Sequence, residues 1–141
     1  MRDTELGSYR PSEREPYMNP RQLAYFREQL LLRRRRILHE DHLYLQQLRG
    51  EIDRSADFVD QGVQEAQQHF DFERRFRNRR LLEQIDAALE RIDEGTYGYC
   101  EESGEKIGLR RLVALPFARC SVETQENIER VERFRRLNNL G

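Results

Sequence analysis

Two long stretches of the chain carry apolar residues at helical spacing. In the first, the apolar residues recur at steps of three, four or seven, which places them on one stripe of a helix. They are Leu23, Phe26, Leu30, Ile37, Tyr44, Leu48 and Ile52. Just before them, Asn19 can cap the free backbone amides, Pro20 suits the first helical position, and Gln22 stands where a capping-box partner would. The pattern predicts a helix that begins at Asn19 and fades near residues 50–57.

A second stripe follows, in two halves that are separated by a charged stretch over residues 73–80. Its members are Val59, Val63, Ala66, Phe70, Leu81, Ile85, Ala88 and Ile92. This stripe predicts a second helix, which ends before Gly95 because glycine favours a helix terminus.

The two predicted helices have apolar stripes that can face each other if the chain folds back between them. In that arrangement, positions whose numbers add up to about 115 are opposite, so that Tyr44 meets Phe70. The result is an antiparallel coiled-coil hairpin over residues 19–95, roughly 50 Å long at ~1.5 Å per residue. Its tip is predicted near residues 53–61, and so thin a structure has no room for an enzyme pocket.

The regions on either side of the hairpin lack its long period. Residues 1–18 are polar, contain two prolines and predict a flexible arm. Residues 96–141 combine turn residues with short apolar pieces and then a last helix, for which Ser121 is the predicted N-cap. The predicted fold class is therefore mainly all-α, with a long helical hairpin, a small zinc-finger-like lobe and a C-terminal helix.

Composition narrows the function. The 141 residues are 37% hydrophobic and 36% charged with no Trp, which suits long amphipathic helices. The net charge of −1 gives no general attraction to DNA or to an anionic membrane. No apolar run is long enough for a transmembrane span or a secretory signal. We therefore expect a cytoplasmic, monomeric protein with reduced cysteines, no direct DNA binding and no catalytic activity.

The predicted tip carries two carboxylates, Asp57 and Asp60, with Phe58 and Val59 between them. One interpretation is structural, since acidic residues at a helix start complement the helix dipole. The other is functional: the carboxylates are presented to a cationic group or to Mg²⁺ inside a narrow cavity of a partner. The two apolar residues favour insertion into a partner, because such side chains are unusual at an exposed tip.

The stretch "GTYGYCEESGEKIGLRRL" resembles half of a zinc knuckle. Structural zinc needs two close pairs of thiolate or imidazole ligands. Here Cys100 is followed three residues later by Ser103, and about twenty residues on neither Cys120 nor the pair Ser121 and Thr124 supplies two thiolates. Because a neutral hydroxyl is a poor zinc ligand, we expect no structural zinc and no other cofactor.

Four segments carry a resemblance to a known family: "YMNPRQLAYFR", "DFVD", "YGYCEESGEKIGLRRL" and "LPFARCSVETQENIE". With them, residues 17–137 resemble the DksA/TraR family of RNA polymerase regulators. The resemblance implies a protein that binds bacterial RNA polymerase and not DNA. It implies that the coiled coil enters the secondary channel and that the lobe grips the rim. By motif match Asp57 and Asp60 would act near the catalytic centre and destabilise open complexes at stable-RNA and stringent-response promoters, with Phe58 standing where a proline is usual.

The resemblance also shows where this chain departs from the family. The four zinc-ligand positions fall on Cys100, Ser103, Ser121 and Thr124, so one cysteine is kept and the chain is similar to a zinc-free branch. We expect the three hydroxyls to form hydrogen bonds across the former site.

A second departure concerns guanosine tetraphosphate, the alarmone that the family binds together with polymerase through basic residues. The aligned positions here are Gln84, Leu115 and Gln125, and none is cationic. A weakened response to the alarmone is expected, because a multiply charged anion is held mainly by Lys and Arg.

Two other functions stay open at this point. One is a secondary-channel transcript-cleavage factor of the Gre type, whose tip carboxylates hold Mg²⁺. The other is a helical-hairpin adaptor or redox-sensing scaffold that uses Cys100 and Cys120.

Overall fold

The computed structural model describes residues 8–54 and 61–139, with the side chains of 8–50 and 68–139. Four α-helices have both ends within these ranges. They are α1 Pro20–Arg54, α2 Gln61–Glu94, α3 Leu109–Ala114 and α4 Val122–Asn139. Over the same ranges, the β-structure consists of one isolated bridge between Tyr99 and Lys106. The predicted all-α fold class is confirmed, and no helix in the described ranges is long and apolar enough to cross a membrane.

The chain divides into two compact units. The first, which we call the lobe unit, comprises the described parts of residues 1–30 and 87–141, and the second, the coil unit, those of residues 31–86. Both unit boundaries fall inside the long helices α1 and α2. The predicted division into arm, hairpin and lobe at residues 19 and 95 stays a prediction.

The start of α1 has the caps that the sequence predicts. The backbone N–H groups of Arg21 and Gln22 donate to Asn19 Oδ1 over 2.9 and 3.0 Å. Gln22 Oε1 in turn accepts from the backbone N–H of Met18 over 2.8 Å, one residue before the cap. These bonds satisfy amide donors that the first helical turn leaves free, and they fix where α1 begins.

The segment before α1 is packed rather than free over residues 8–18, which corrects the prediction of a flexible arm there; residues 1–7 lie outside the described ranges. Tyr9 is buried, its hydroxyl donates to the Glu15 carboxylate, and its ring meets Tyr25 edge to face with centroids 6.0 Å apart. The Arg21 guanidinium lies 4.1 Å from the Tyr9 ring centroid. Periodicity cannot predict these contacts, because the segment is irregular and its aromatic residues follow no repeat.

The core of the lobe unit is formed by fully buried side chains from both long helices and from the segment after them. Phe26 and Tyr97 pack with ring centroids 5.6 Å apart, and Leu112 has no exposed surface. The Tyr97 hydroxyl donates to the carbonyl oxygen of Pro116 over 2.7 Å, so its one polar atom is satisfied inside the core.

The end of α2 depends on Arg91. Its carbonyl oxygen accepts from the N–H groups of Thr96 and Tyr97 over 2.9 and 3.2 Å, while Gly95 adopts a φ of 81°. This left-handed glycine ends the helix and satisfies a terminal carbonyl. The Arg91 guanidinium is buried and pairs with Glu101 over 2.8 Å, which joins α2 to the segment that follows it.

The coil unit shows the register of the two long helices. Arg34 Nε lies 2.9 Å from Asp86 Oδ1, whereas the predicted register would have placed it opposite position 81. Tyr44 lies under the guanidinium of Arg75, at 5.3 Å, and not against Phe70. The antiparallel arrangement is confirmed. Three cross-helix contacts join positions that add up to 119 or 120 rather than about 115, whereas the pair of Glu40 with Arg74, at 3.6 Å, fits the predicted sum. A slip of about one helical turn keeps an apolar stripe on the same side of the helix, so spacing alone does not fix the register.

Candidate functional site

The knuckle is built as a small backbone loop around Cys100. The Cys100 N–H donates to the Glu105 carbonyl over 2.7 Å, and the Gly104 N–H donates to the Cys100 carbonyl over 2.9 Å. At its open end, the Ile107 N–H donates to the Gly98 carbonyl over 2.9 Å. Gly98 and Gly104 have φ values of 93° and 73°, which glycine adopts without steric cost. The turn geometry of a zinc knuckle is therefore present in the backbone itself.

Two hydrogen bonds connect this loop to the second half of the knuckle, the segment around Cys120. The Glu101 N–H donates to the Arg119 carbonyl over 3.0 Å, and Arg111 Nε, on α3, donates to the Cys120 carbonyl over 3.0 Å. They hold together the two loops that carry Cys100 and Cys120. In a zinc finger this is the task of the metal.

Tyr17 attaches the segment before α1 to the first half of the knuckle, a contact that sequence reasoning missed. Its hydroxyl donates to the Gly98 carbonyl over 2.6 Å and accepts from the Gly108 N–H over 3.0 Å. The next residue, Met18, lies so close that a Cβ on Gly98 would approach its Cγ to 2.7 Å. The available signal was the place of Tyr17 and Met18 at the head of the "YMNPRQLAYFR" motif, next to a helix cap.

Three of the four former zinc-ligand positions carry hydroxyls, and these form hydrogen bonds. The Ser121 hydroxyl donates to Thr124 Oγ1 over 2.9 Å and accepts from the Thr124 N–H over 3.3 Å. The second bond confirms Ser121 as the N-cap of α4. On the other loop, the Ser103 N–H points at Cys100 Sγ over 3.5 Å, and the Ser103 hydroxyl also bonds to that sulfur.

Cys100 is buried and surrounded by donors. Burial by itself raises the pKa of its thiol, but hydrogen bonds from the Ser103 side chain and from the N–H groups of Ser103, Ser121 and Glu102 outweigh it. Together they lower the pKa of the thiol from 9.0 to about 6. The donors around the sulfur therefore favour a thiolate at this position.

Cys120 is buried next to it and has the opposite protonation preference. Burial raises the pKa of the Cys120 thiol, and so does its hydrogen bond to Cys100. Both cysteines are free. Cys120 thus acts as one more hydrogen-bond donor to the Cys100 sulfur. It is next in sequence to Ser121, one of the former zinc-ligand positions.

The donor set does not fit a structural zinc ion. Zinc of this kind takes four sulfur or nitrogen ligands, whereas three of the four positions here are neutral hydroxyls. Two of these, on Ser121 and Thr124, are bonded to each other. Among the residues that the structure describes, no group of three His, Cys, Asp or Glu side chains is placed to hold a metal. That the protein contains no zinc remains a prediction.

The predicted tip residues Asp57, Phe58, Val59 and Asp60 lie outside the described ranges.

For the alarmone positions, Gln84 is half-buried in the coil unit, and Leu115 and Gln125 belong to the lobe unit. Leu115 is 38% exposed, and Gln125 Nε2 donates to Glu129 over 3.3 Å. None of the three side chains is cationic. Their assignment to the alarmone site stays a prediction.

Comparison with known proteins identifies the family. Residues 22–92 match the family described as DnaK suppressor protein DksA, N-terminal domain, and residues 95–130 match the prokaryotic dksA/traR C4-type zinc finger. The RNA polymerase-binding transcription factor DksA of Caulobacter vibrioides (strain NA1000 / CB15N) is 47% identical over 132 residues, 94% of this chain and 93% of the relative. The chain belongs to the DksA/TraR family. The DksA of Escherichia coli (strain K12) is 34% identical over 110 residues, 78% of this chain and 73% of the relative.

Solved structures of DksA proteins agree with this assignment. The transcription factor DksA2 from Pseudomonas aeruginosa matches with a TM-score of 0.75 at 34% identity, covering 94% of this chain and 99% of that one. The RNA polymerase binding protein and transcriptional regulator Dks from Chlamydia trachomatis L2 matches with a TM-score of 0.51 at 28% identity, over 80% and 93%.

The finger of this chain departs from the C4 type that describes the matching family. The matching family is described as a C4-type zinc finger, yet the whole sequence contains two cysteines. The family's finger architecture is therefore present here with an altered ligand set.

Proposed function

We propose that the protein binds bacterial RNA polymerase directly and regulates transcription initiation. The observation that carries this proposal is identity of 47% over 94% of the chain to a protein named RNA polymerase-binding transcription factor DksA. The net charge of −1 supports a protein partner over DNA, because DNA-binding domains carry an excess of positive charge. On this proposal it is a cytoplasmic, monomeric regulator and not an enzyme.

The proposed mechanism places the tip of the coiled coil in the secondary channel of polymerase. There Asp57 and Asp60, flanking Phe58 and Val59, act near the catalytic centre and change the stability of open complexes. Support comes from the motif match of the "DFVD" segment and from the apolar residues that it carries between its carboxylates. A carboxylate in a site from which water is largely excluded interacts strongly with nearby cations.

The lobe is proposed to keep its shape without zinc. The bonds of Glu101 to Arg119 and of Arg111 to Cys120 join the two loops that a zinc ion would otherwise join. The Tyr17 hydroxyl adds bonds to Gly98 and Gly108.

The response to guanosine tetraphosphate is proposed to be weak. Of the three positions that the resemblance assigns to the alarmone, Gln84 and Gln125 are neutral amides and Leu115 is apolar. Without Lys or Arg, these positions lack charge-assisted hydrogen bonds to the phosphates.

The test is transcription in vitro from a stable-RNA promoter, with the wild type and with Asp60→Asn, each with and without guanosine tetraphosphate. We expect the wild type to shorten the open-complex lifetime and Asp60→Asn to lose most of that effect, with little change on adding the nucleotide. Glu83→Gln is the matched control, because it removes an exposed carboxylate of α2 away from the predicted tip.

Three results would contradict these proposals. Equal activity of the wild type and Asp60→Asn would reject the tip assignment, and a strong nucleotide response would reject the inference from Gln84, Leu115 and Gln125. Stimulated cleavage of backtracked RNA with no effect on initiation would favour the transcript-cleavage function instead.

A further inference from the structure

The coil unit exposes two phenylalanine rings on one face of α2. Phe72 is 68% exposed and Phe76 is 56% exposed, and their spacing of four residues places them one above the other on the helix. Phenylalanine is usually buried, so two adjacent exposed rings on one face are an apolar surface without a cover in the described chain. We call this pair the aromatic ridge.

Grooves lie on both sides of the aromatic ridge. One has a volume of about 320 Å³ and the other of about 350 Å³. The lining of the first consists of Asp41, Phe72, Arg75, Phe76, Arg79 and Leu82. The second is lined by Phe72, Glu73, Phe76 and Arg77. A ridge of side chains between two grooves is the surface that a second helix packs against.

The aromatic ridge lies in an arginine-rich stretch of α2, with Asp41 also lining the first groove and Glu73 the second. Residues 73–80 contain five arginines and one glutamate, whereas the whole chain has a net charge of −1. Arg75 is held over the Tyr44 ring at 5.3 Å. Among the described side chains, no carboxylate forms an ion pair with Arg77 or Arg79 within 4.0 Å. Guanidinium groups are therefore available on both sides of the two rings.

We propose that the aromatic ridge and its arginines dock an acidic amphipathic helix of a protein partner. The apolar face of that helix would cover Phe72 and Phe76, and its carboxylates would meet Arg77 and Arg79. This inference rests on the proposed function, under which the helix belongs to the surface of RNA polymerase.

Charge and shape together select this occupant. Arginine forms planar, two-pronged hydrogen bonds with carboxylates, and such bonds strengthen when a packed apolar surface excludes water around them. A second copy of the same ridge is a poor occupant, since it would bring arginines against arginines. A nucleic-acid strand matches the charge, but it does not use a pair of grooves that flank a ridge in the manner of a packed helix.

The aromatic ridge contributes little to the coil unit's own packing, which makes it testable. Substitution of exposed side chains usually changes the free energy of unfolding very little. A loss of binding on substitution would therefore report contact with the partner and not loss of the fold.

The experiment measures the affinity of the full-length protein for core RNA polymerase. We expect the double variant Phe72→Ser with Phe76→Ser to bind about tenfold or more weakly than the wild type, as buried aromatic anchors do in interfaces. Phe70→Ser is the matched control and should bind within about twofold of the wild type. Phe70 is equally exposed at 71%, but it lies two residues from Phe72, about 200° around the helix.

A second pair of variants tests the charge. Arg79→Glu should weaken binding by about tenfold and reduce the dependence of affinity on salt, because it removes a guanidinium from the groove. Arg80→Glu makes the same charge change at an exposed arginine outside the lining of either groove, and it should have a smaller effect. If the double serine variant loses helical circular dichroism, the comparison of Arg79→Glu with Arg80→Glu decides whether the aromatic ridge contacts the partner.

The outcomes separate this inference from the proposed function. A wild type that does not bind polymerase rejects both. Binding by the wild type and by all four variants with equal affinity rejects the aromatic ridge alone. The proposed docking of an acidic helix is also rejected if Phe72 and Phe76 are required for binding single-stranded DNA or RNA, or for a dimer seen by sedimentation.

Discussion

The lobe unit and the coil unit use aromatic residues in opposite ways. In the lobe unit, Phe26 and Tyr97 are buried against each other, and the hydroxyl of Tyr97 has a partner inside the core. In the coil unit, Phe72 and Phe76 extend into solvent. Among the described side chains of the coil unit, Asn78 and Ile85 are the buried ones. The difference indicates that the lobe unit supplies much of the protein's own stability, while the coil unit keeps apolar surface available for a partner.

The comparison extends to ion pairs. In the lobe unit, Arg91 is buried and pairs with Glu101, so removing Glu101 would leave the buried Arg91 charge without its partner. The coil unit has the pair of Arg34 with Asp86, in which both side chains are exposed to about half. Exposed pairs of this kind contribute between zero and about 1 kcal/mol. They align the two helices without adding much stability.

The largest expected effect comes from emptying the lobe core. Phe26→Ala should lower the free energy of unfolding by about 3–5 kcal/mol, because it leaves a cavity among fully buried side chains. Phe70→Ala, the same change at a ring exposed in the coil unit, should cost less than about 0.5 kcal/mol. Urea unfolding followed by circular dichroism measures both. Similar losses in the two variants would remove the contrast between the units.

A smaller effect should follow from crowding the knuckle. Gly98→Ala places a Cβ 2.7 Å from Met18 Cγ at a φ of 93°, so steric overlap adds to backbone strain. Gly104→Ala, at a φ of 73° with open space around it, isolates the strain alone, which is about 1–2 kcal/mol. We expect the melting temperature to fall further for Gly98→Ala than for Gly104→Ala. Equal shifts would mean that the contact with Met18 does not constrain the knuckle.

The third expected effect is the dependence of stability on pH that Cys100 brings to the lobe unit. Its thiol has a pKa of about 6 in the folded protein, below the ordinary 9.0, because hydrogen-bond donors surround the sulfur. The unfolded chain therefore binds more protons between these values, and stability should rise from pH 6 to pH 9. Below pH 6 the contribution is absent.

The matched variant for this measurement is Cys100→Ser, which has no titrating group at that position. Its stability should lack the rise that Cys100 causes between pH 6 and pH 9, as measured by urea midpoints at several pH values. A wild type and a variant with parallel profiles would show that the surrounding donors do not stabilise a thiolate.

Much of this fold was predictable because long helices leave a periodic signal. The stripe from Leu23 to Ile52 and the cap at Asn19 gave the existence, direction and start of α1, and Ser121 gave the start of α4. The pairing register was not predictable, since a slip of one turn leaves the same stripe facing inward. Arg34 with Asp86 could be paired only once the coordinates were known.

The site was predictable in identity and less so in its contacts. The family resemblance assigned Cys100, Ser103, Ser121 and Thr124 to the former zinc-ligand positions and predicted hydroxyl bonds across them. The hydroxyl bonds present lie within each loop, between Ser121 and Thr124 and between Ser103 and Cys100. The role of Tyr17 in bridging two glycines far along the chain was not predictable, because a contact between distant irregular segments has no period or local motif.

The central claim is that hydrogen bonds and packing hold the knuckle in place of a metal ion. Elemental analysis of the purified protein, together with its melting temperature with and without a strong zinc chelator, tests this most directly. We predict less than one zinc per chain and an unchanged melting temperature. One zinc per chain, with a melting temperature that falls when the chelator is added, would contradict the account and would make Cys120 a ligand.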